Sequence, residues 1–399
     1  MSDKITCQIC GAQVHSIQIH LKKDHPLHSL DEYVKSYPDA PLLSELAKKT
    51  IAEKRGSEDS GAKVEMTGTG VEASSASTAG GTTTLAKKDS LVRRAFHEVF
   101  ELGSKTKAAM SAKGDPIPIN VVANTEFKDM VPEISKSYVY DIDELKNVIL
   151  AIELNIPCLV WGHKGSGKSE LCEQIAARTG RPLIRVQHTV NTEESHIVGQ
   201  WTVRDGNTIF ELGPLPLAMI NGWTYLADEY DFMLPSVSSV YQAVLEGKSL
   251  MIKDAPSDMR VIKPHPNFRI LATANTNGSG DETGLYQGTS LGNSANYDRF
   301  GVVIHKQYMQ KEAESLILQN QVGLTASDSK KMVDFAELVR EAYDGAKISD
   351  VISPRTLIYA AKIGVKRGSF RQGLQLSFVN KLSKIDREVV DGLAQRIFG

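Results

Sequence analysis

The chain has 399 residues, of which 41% are hydrophobic and 24% are charged, so it is long enough for two or three domains and can fill at least one sizeable core. Its formal net charge of −2 excludes a global bias toward nucleic acid or an anionic membrane surface. No apolar run reaches the roughly 18 residues that span a bilayer, and the N-terminus lacks the layout of a signal peptide. We therefore expect a cytoplasmic protein with no membrane contact.

The first 55 residues form a candidate zinc-binding head. Two cysteines and two histidines have the spacing C-x2-C-x9-H-x4-H, which is close to that of structural zinc sites. The other two cysteines of the chain lie far apart from this pattern, in apolar surroundings. The predicted Zn²⁺ ligands are Cys7, Cys10, His20 and His25. Because His15 and His28 lie nearby, the choice of histidines is more open than that of the cysteines. A segment this short needs the metal to supply its folding free energy.

The pattern of the head resembles the prokaryotic Ros-type zinc finger, a resemblance that suggests DNA binding. However, residues 1–50 contain six lysines, six acidic residues and no arginine, whereas phosphate-driven binding needs clustered cations. A role in recruiting a protein or in assembly is therefore slightly favoured over DNA.

Residues 56–85 are predicted to be a disordered linker. Gly, Ser and Thr make up more than half of this stretch, and it contains no aromatic residue, so it cannot bury enough apolar surface to fold. The linker separates the head from a body that begins near residue 86.

The first part of the body, residues 86–140, is predicted to be a helix followed by irregular chain. The helix would start at Asp89 or Ser90, carry an apolar face and end at Gly103. The face consists of Leu91, Ala95, Val99 and Leu102. Pro116 and Pro118 mark the irregular stretch.

Residues 141–308 show apolar strands alternating with helices. A helix over DIDELKNVILAIEL precedes the strand IPCLVWG, a second helix starts at Lys168, and the strands LIRVQ, WTYLADE and FRILATANT follow. This alternation favours a parallel sheet covered on both faces. Residues 309–399 show only helical patterns, and the last helix contains Ile385, Val389, Val390 and Leu393. We expect an α/β nucleotide-binding core with a C-terminal helical lid.

Residues 162–169 read GHKGSGKS, a complete GxxxxGK[ST] motif between a strand and a helix. Glycines allow the backbone N–H groups to wrap phosphates, and the helix N-terminus attracts their charge. Lys168 would reach the β- and γ-phosphates of ATP, and Ser169 would ligate Mg²⁺. The predicted binding residues are Gly162, His163, Lys164, Gly165, Ser166, Gly167, Lys168 and Ser169.

Two carboxylates end the strand WTYLADE about 60 residues later. Asp228 is expected to hold Mg²⁺ through water, and Glu229 to orient and deprotonate the attacking water. Asn275 ends the strand FRILATANT, and it would emerge beside Asp228 if the two strands are neighbours. Its amide would then hold the water near the γ-phosphate, although a simple strand-end cap is the alternative.

Arg299 in YDRFG and Arg355 in ISPRTLIYAAK are the candidate cations for the transition state. A fixed planar cation suits developing phosphoryl charge, but most surface arginines are merely solvated. Spacing alone therefore leaves both assignments open.

Taken together, these residues resemble the MoxR branch of AAA+ ATPases, and within it the CobS-type subunits of aerobic cobaltochelatase. The resemblance spans roughly residues 97 to 399 and rests on VWGHKGSGKS, ADEYD, VIKPHPNFRILATANTNGSGDETGLYQGT, YDRF, SPRT and QRIFG. It implies that Asn275 is the sensor-one residue, that Arg299 is an arginine finger acting on a neighbouring subunit's ATP, and that Arg355 is the sensor-two arginine. It also implies a homo-oligomeric ring, by family precedent a hexamer.

The resemblance further implies two β-hairpin insertions. WTVRDGNTIFELG has the alternation of a hairpin around Asp205 and Gly206 and resembles the insert that faces the pore of the ring. LMIKDAPSDMRVIKP resembles the hairpin before sensor one. Both would move with the nucleotide state, and plain packing on their own domain is the alternative.

Three functions follow from this interpretation. The first is a CobS-like ATPase that powers cobalt insertion by remodelling a large chelatase subunit together with a metal-binding adaptor. The second is a MoxR-type ATPase that remodels another protein, chosen by the zinc head. In the third, the head tethers the motor to DNA.

Overall fold

The computed structural model describes residues 90–103, 106–280 and 292–399, Thr289, and residues 4–15, 17, 20–21, 33, 35–38, 40–42 and 44 of the head. The chain divides into two compact units, residues 1–82 and 83–399. The predicted linker at 56–85 and the predicted ligand His25 lie outside the described residues.

The described part of the head contains a small antiparallel pair of strands, β1 (Ile5–Thr6) and β2 (Gln13–Val14). Cys7 and Gly11 close the turn between them through two backbone hydrogen bonds, Cys7 N to Ala12 O at 2.9 Å and Gly11 N to Cys7 O at 2.8 Å. A minimal core of Cys7, Ile17, Leu21 and Tyr33 packs beside this turn. The turn thus places the CxxC segment against the only apolar cluster of the described head residues.

The second unit opens with an antiparallel ribbon, where the predicted helix over 89–103 is wrong. Ser90–Ala95 forms strand β3, which pairs with strand β4, Pro118–Asn124, and only Phe96–Val99 forms a short helix, α1. Leu91, at the start of the expected apolar helix face, is 43% exposed and so does not pack into a core. The β-branched residues of β4 supply a pairing partner that local periodicity does not reveal. The chain around Pro118 is therefore also more regular than expected, with proline tolerated as the first residue of a strand.

The α/β core follows the predicted alternation of helices and strands. Its elements are α2 (Ile142–Leu154), β5 (Cys158–Trp161), α3 (Lys168–Arg178), β6 (Leu183–Gln187), α4 (Glu194–Val198), β7 (Gly199–Arg204), β8 (Asn207–Leu212), α5 (Pro214–Asn221), β9 (Thr224–Asp228), α6 (Pro235–Ser238), α7 (Gln242–Leu245), β10 (Leu250–Met251), β11 (Val261–Ile262), β12 (Arg269–Ala274), α8 (Ser294–Tyr297) and β13 (Val302–His305). Asp141 caps α2 by accepting hydrogen bonds from the N–H groups of Asp143 and Glu144, each at 3.0 Å.

The central sheet is parallel, as predicted, with the strand order β13-β5-β12-β9-β6. Successive residues along its strands enter two different cores: Leu159 and Tyr225 belong to one apolar cluster, and Val160 and Leu226 belong to the other. Both faces of the sheet are therefore covered, which explains the continuous apolar runs. Because all five strands are parallel, their carboxyl ends meet along one edge, where ligands bind in open α/β sheets.

Both predicted hairpins are confirmed. Strands β7 and β8 pair from Gly199 opposite Leu212 to Arg204 opposite Asn207, and β10 pairs with β11. The indole N–H of Trp201 on the first hairpin donates to the Asp254 carbonyl of the second at 2.9 Å. The two insertions are thus in direct contact with each other.

The C-terminal part is helical, as predicted. It consists of α9 (Lys311–Val322), α10 (Ala326–Asp344), α11 (Pro354–Arg367), α12 (Phe370–Ser377) and α13 (Lys384–Phe398). These helices share a separate core that includes Met332, Phe335 and Leu357. Ser353 starts α11 by accepting a hydrogen bond from Thr356 N at 3.2 Å, and Pro354 follows in the first turn.

Among the described residues, no helix combines the length and the apolar character needed to cross a bilayer.

Candidate nucleotide site

The predicted phosphate loop, residues 162–169, connects β5 to α3 at the carboxyl edge of the sheet. Gly162 and Gly165 have φ angles of +149° and +70°, which L-residues rarely adopt. A Cβ on Gly162 would also lie 2.1 Å from the carbonyl oxygen of Lys306. The backbone just after β13 therefore lies against the loop, and only glycine fits at this position.

Lys168 is the first residue of α3, and its ammonium group lies over the loop. Its Nζ donates to Gly162 O at 2.8 Å, to His163 O at 3.1 Å and to Asn275 Oδ1 at 3.0 Å. The side chain is only 8% exposed, and this burial lowers the pKa of Lys168 to about 8. The structure thus joins a loop residue to the residue that follows β12, two positions 107 residues apart in sequence.

Asp228, the last residue of β9, accepts hydrogen bonds at both oxygens of its carboxylate. Its Oδ1 accepts hydrogen bonds from Ser169 Oγ at 2.6 Å and from the Thr273 hydroxyl, while Oδ2 accepts from Arg185 Nε at 2.8 Å. Burial raises the pKa of Asp228, but the hydrogen bonds from Ser169 and Thr273 and the charge of Arg185 outweigh this effect and hold the pKa below its usual value. The group is therefore ionised at neutral pH, beside the hydroxyl of Ser169.

Glu229 follows in a left-handed conformation, with φ of +56°. Such a conformation is uncommon for a residue with a side chain and costs free energy. Its N–H donates to Thr273 Oγ1 at 3.2 Å, and its Oε2 accepts from Gln187 Nε2 at 2.8 Å. These contacts turn the carboxylate toward the end of β6 and the cavity described below.

The predicted neighbourhood of Asn275 and Asp228 is confirmed. Strands β12 and β9 pair directly, with Ala272 opposite Ala227. Asn275 therefore emerges at the same edge of the sheet, in contact with Lys168.

The two arginines lie in different places. Arg355, in the first turn of α11, lines the same cavity as Lys168 and Glu229. Arg299, which follows α8, is not among the residues lining that cavity, and its Nε instead donates to Glu246 Oε1 at 2.7 Å. The structure thus brings Arg355, but not Arg299, to the phosphate loop of its own chain.

The loop residues His163 and Lys164 present their side chains to the lid. The His163 ring packs edge-on against Tyr343 of α10 with centroids 6.3 Å apart, and Lys164 Nζ forms an ion pair with Asp350 Oδ1 at 2.6 Å. Gly165 approaches Ser353 so closely that a Cβ would lie 2.6 Å from that side chain. Three consecutive residues of the loop therefore contact the lid.

Two adjoining cavities surround the loop. The first has a volume of about 310 Å³ and is lined by polar groups that include Lys168, Asp228, Glu229 and Asn275. The second, about 350 Å³, shares Gly165, Gly167, Glu170 and Arg355 with the first and continues between the core and the lid. Ser166 also lines the second cavity, and its buried hydroxyl has no hydrogen-bond partner among the described residues. A phosphate chain with a divalent cation fits the first cavity, because backbone N–H groups, an ammonium group and an ionised carboxylate converge on it.

Sequence reasoning missed Arg185, Gln187 and Asp231. Arg185 and Gln187 are alternate residues at the carboxyl end of β6, and both line the first cavity. Their i, i+2 spacing at the end of an apolar strand is a signal that was present in LIRVQ. Asp231 gave no such signal, because only the folded chain brings its carboxylate to the N–H groups of Asn275 and Thr276.

The described part of the head brings three of the four predicted zinc ligands together. One ligand atom each of Cys7, Cys10 and His20 lie within 4.8 Å of one another, and Cys10 Sγ is 3.1 Å from His20 Nε2. His15 faces elsewhere, with its Nδ1 2.9 Å from Ser44 Oγ. Two sulfurs and one imidazole nitrogen in such a cluster are a donor set that suits Zn²⁺.

The fold and the site together define a P-loop ATP hydrolase of the AAA+ class, with a parallel core sheet and a helical lid over the phosphate loop. The family model described as AAA domain (dynein-related subfamily) matches residues 157–290, and that described as CbbQ/NirQ/NorQ C-terminal matches residues 314–397.

The chain is similar to several known proteins, and the first of them shows its family. The aerobic cobaltochelatase subunit CobS of Sinorhizobium sp. is 34% identical over 76% of this chain and 93% of that protein. Protein CbbQ of Hydrogenophilus thermoluteolus is 25% identical over 56% of this chain and 80% of that protein. A solved structure of a RuvB variant from Thermotoga maritima covers 61% of this chain and 73% of its own at 12% identity, with a TM-score of 0.40. The chain belongs to the MoxR-type AAA+ ATPases.

Proposed function

We propose that the chain binds ATP with Mg²⁺ in the two adjoining cavities and hydrolyses it there. The observation that carries this proposal is the convergence of Lys168, Asp228, Glu229 and Asn275 on one cavity at the carboxyl edge of the sheet. The second cavity, lined in part by Tyr138, Met309, Ile358 and Tyr359, is apolar enough to take the base and ribose.

Different residues of the site have different roles in hydrolysis. The loop N–H groups and Lys168 bind the phosphate oxygens, Ser169 would ligate Mg²⁺, and Asp228 would hold it through water. Bound Mg²⁺ supplies the neutralisation of phosphate charge. Glu229 orients the attacking water and accepts its proton, while Asn275 donates a second hydrogen bond to that water.

Arg299 and Arg355 complete the site from two directions. Arg355 reaches the phosphates from the lid of the same chain. Arg299 acts on the ATP of a neighbouring subunit, which is supported by its position outside its own cavity. This division requires a homo-oligomeric ring, and we propose a hexamer.

The output of the motor is the remodelling of a partner protein. The two hairpins are the proposed levers, because Trp201 and Asp254 join them into one unit. Similarity to CobS over most of the chain supports the role of ATPase subunit in a cobaltochelatase. The alternative is a MoxR-type ATPase with another target, recruited or tethered to DNA through the head.

We propose that the head binds Zn²⁺ through Cys7, Cys10 and His20, with His25 as the fourth ligand. The cluster of the first three supports this proposal. The balance of six lysines and six acidic residues in residues 1–50 favours a protein target for the head over DNA.

The ATPase assignment is tested with two variants. Lys168→Ala should abolish nucleotide binding, measured with a fluorescent ATP analogue, whereas Glu229→Gln should bind ATP and not turn it over. If Glu229→Gln hydrolyses ATP at the parent rate, the assignment of the base is wrong.

The ring mechanism is tested with Arg299→Ala. This variant should bind ATP without hydrolysing it. Mixed rings of Arg299→Ala and Lys168→Ala subunits should regain activity at interfaces where Arg299 of a Lys168→Ala subunit meets the intact phosphate loop of an Arg299→Ala subunit. A fully active monomer would contradict the mechanism.

The target is tested by using Glu229→Gln as a trap in the native cell, followed by mass spectrometry of the proteins retained. Recovery of a large chelatase subunit and a metal-binding adaptor supports the chelatase role. Recovery of unrelated proteins that depends on an intact head supports the alternative.

A further inference from the structure

Asp231 is a buried carboxylate that joins the ends of two neighbouring strands. It lies in a one-turn 3-10 helix, Tyr230–Phe232, that follows β9, and it is 2% exposed. Its Oδ2 accepts three hydrogen bonds, from Asn275 N at 3.0 Å, Thr276 N at 2.9 Å and Thr276 Oγ1 at 3.0 Å. One oxygen thus receives both N–H groups that follow the last residue of β12.

These two N–H groups lie where the sheet no longer fixes the backbone. Strand β12 ends at Ala274, and its pairing with β9 ends at Ala272 opposite Ala227. Beyond that point, the Asp231 carboxylate takes the place of a strand partner. A carboxylate accepts such bonds more strongly than a neutral group does.

The segment held in this way carries a side chain of the proposed site. Asn275 Oδ1 accepts from Lys168 Nζ at 3.0 Å, so the backbone at Asn275 sets the distance between the amide and the phosphate-binding ammonium group. Asp231 itself is not among the residues that line the cavity. Its other oxygen, Oδ1, is buried with no hydrogen-bond partner among the described residues, an arrangement that an ordinary turn cap does not require.

We infer that Asp231 is a positioning residue for ATP hydrolysis: by holding the backbone of Asn275 and Thr276, it aims the Asn275 amide at the γ-phosphate side of the site. The inference rests on the proposed function, since it assigns Asp231 a role that acts through Asn275. A plain structural role would affect folding stability and leave turnover of the folded protein unchanged.

The test is a double-mutant cycle between Asp231 and Asn275, measured as ATP turnover by the full chain. Asp231→Ala should lower kcat by about 100-fold, the size of effect expected when a reacting group moves by about 1 Å, with KM for ATP changed by less than about threefold. In the Asn275→Ala background the same substitution should cost less than about threefold, because the group that it positions is already absent.

Two variants serve as controls. Thr276→Val removes one of the three hydrogen bonds, the one from the hydroxyl, and should lower kcat by less than about tenfold. Asp231→Asn keeps an acceptor oxygen in nearly the same volume and should recover part of the lost turnover. If Asp231→Ala does not fold, as judged by thermal unfolding, the cycle is run with Asp231→Asn, whose smaller effect should likewise vanish when Asn275 is replaced.

Independent, multiplicative effects of the two substitutions would overturn the inference, as would a change confined to KM. The parent protein in the same assay distinguishes failure of the proposed function from failure of the role of Asp231. A parent that does not turn over ATP contradicts the proposed function, whereas an active parent with multiplicative losses contradicts only the role of Asp231.

Discussion

Replacing Gly165 by alanine tests whether contact between the phosphate loop and the lid controls turnover. Gly165 has φ of +70°, and a Cβ there would lie 2.6 Å from both Cβ and Oγ of Ser353. The conformation alone costs an L-residue roughly 1–2 kcal/mol. Since carbon atoms pack best at about 3.5–4.0 Å, the loop and Ser353 must also separate by about 1 Å, a displacement that can lower turnover by about 100-fold.

The matched control is Gly323→Ala at the end of α9. Gly323 has φ of +76°, and a Cβ there would meet no atom within 4 Å. It should therefore lose similar stability in thermal unfolding, about 1–2 kcal/mol, with an unchanged kcat for ATP. The difference in kcat between the two variants isolates the steric contact from the backbone strain.

A second substitution removes the obstacle itself. Ser353→Gly deletes both atoms that Gly165→Ala would strike, and as a helix cap glycine costs only a few tenths of a kcal/mol relative to serine. The double variant should thus recover most of the ATP turnover lost by Gly165→Ala. If Gly165→Ala is as active as Gly323→Ala, or if the double variant stays inactive, the contact with the lid does not control turnover.

Two further predictions concern stability and metal removal. Glu314→Gln should lower the free energy of unfolding, measured in urea, by about 3–5 kcal/mol because it leaves the Arg340 guanidinium buried without its bidentate partner. The control Glu337→Gln, at a half-buried carboxylate, should lower the same free energy by no more than about 1 kcal/mol. Equal losses in the two variants would contradict this account. After treatment with a zinc chelator, iodoacetamide should modify the two cysteines of the head and spare Cys158 and Cys172, since burial raises the pKa of Cys158 to about 12 and that of Cys172 well above its usual value. Modification of Cys172 in the folded protein, detected by mass spectrometry, would refute this reasoning.

Much of the core could be predicted from the sequence because its signals are local. The phosphate loop needs glycine conformations and a helix start at fixed spacing, and GHKGSGKS contains both within residues 162–169. Strands buried on both faces appear as apolar runs whatever their neighbours are. The hairpin around Asp205 and Gly206 was likewise predictable, because the turn chemistry lies within the turn itself.

The region from 89 to 103 shows where a local pattern misleads. Leu91, Ala95, Val99 and Leu102 have helical spacing, yet Ser90–Ala95 is a strand because Pro118–Asn124 pairs with it. Short apolar patterns allow either structure, and the choice was made by a partner more than 20 residues away.

The candidate site shows the same division between local and tertiary information. The sequence by itself determined which residues lie at or just after strand ends, among them Asp228, Glu229 and Asn275. Only the tertiary structure decided that Gln187 contacts Glu229, that Asp231 holds Asn275, and that Arg299 lies away from its own cavity. The physical reason is that spacing along the chain sets backbone conformation, whereas the order of strands in the sheet decides which strand ends meet.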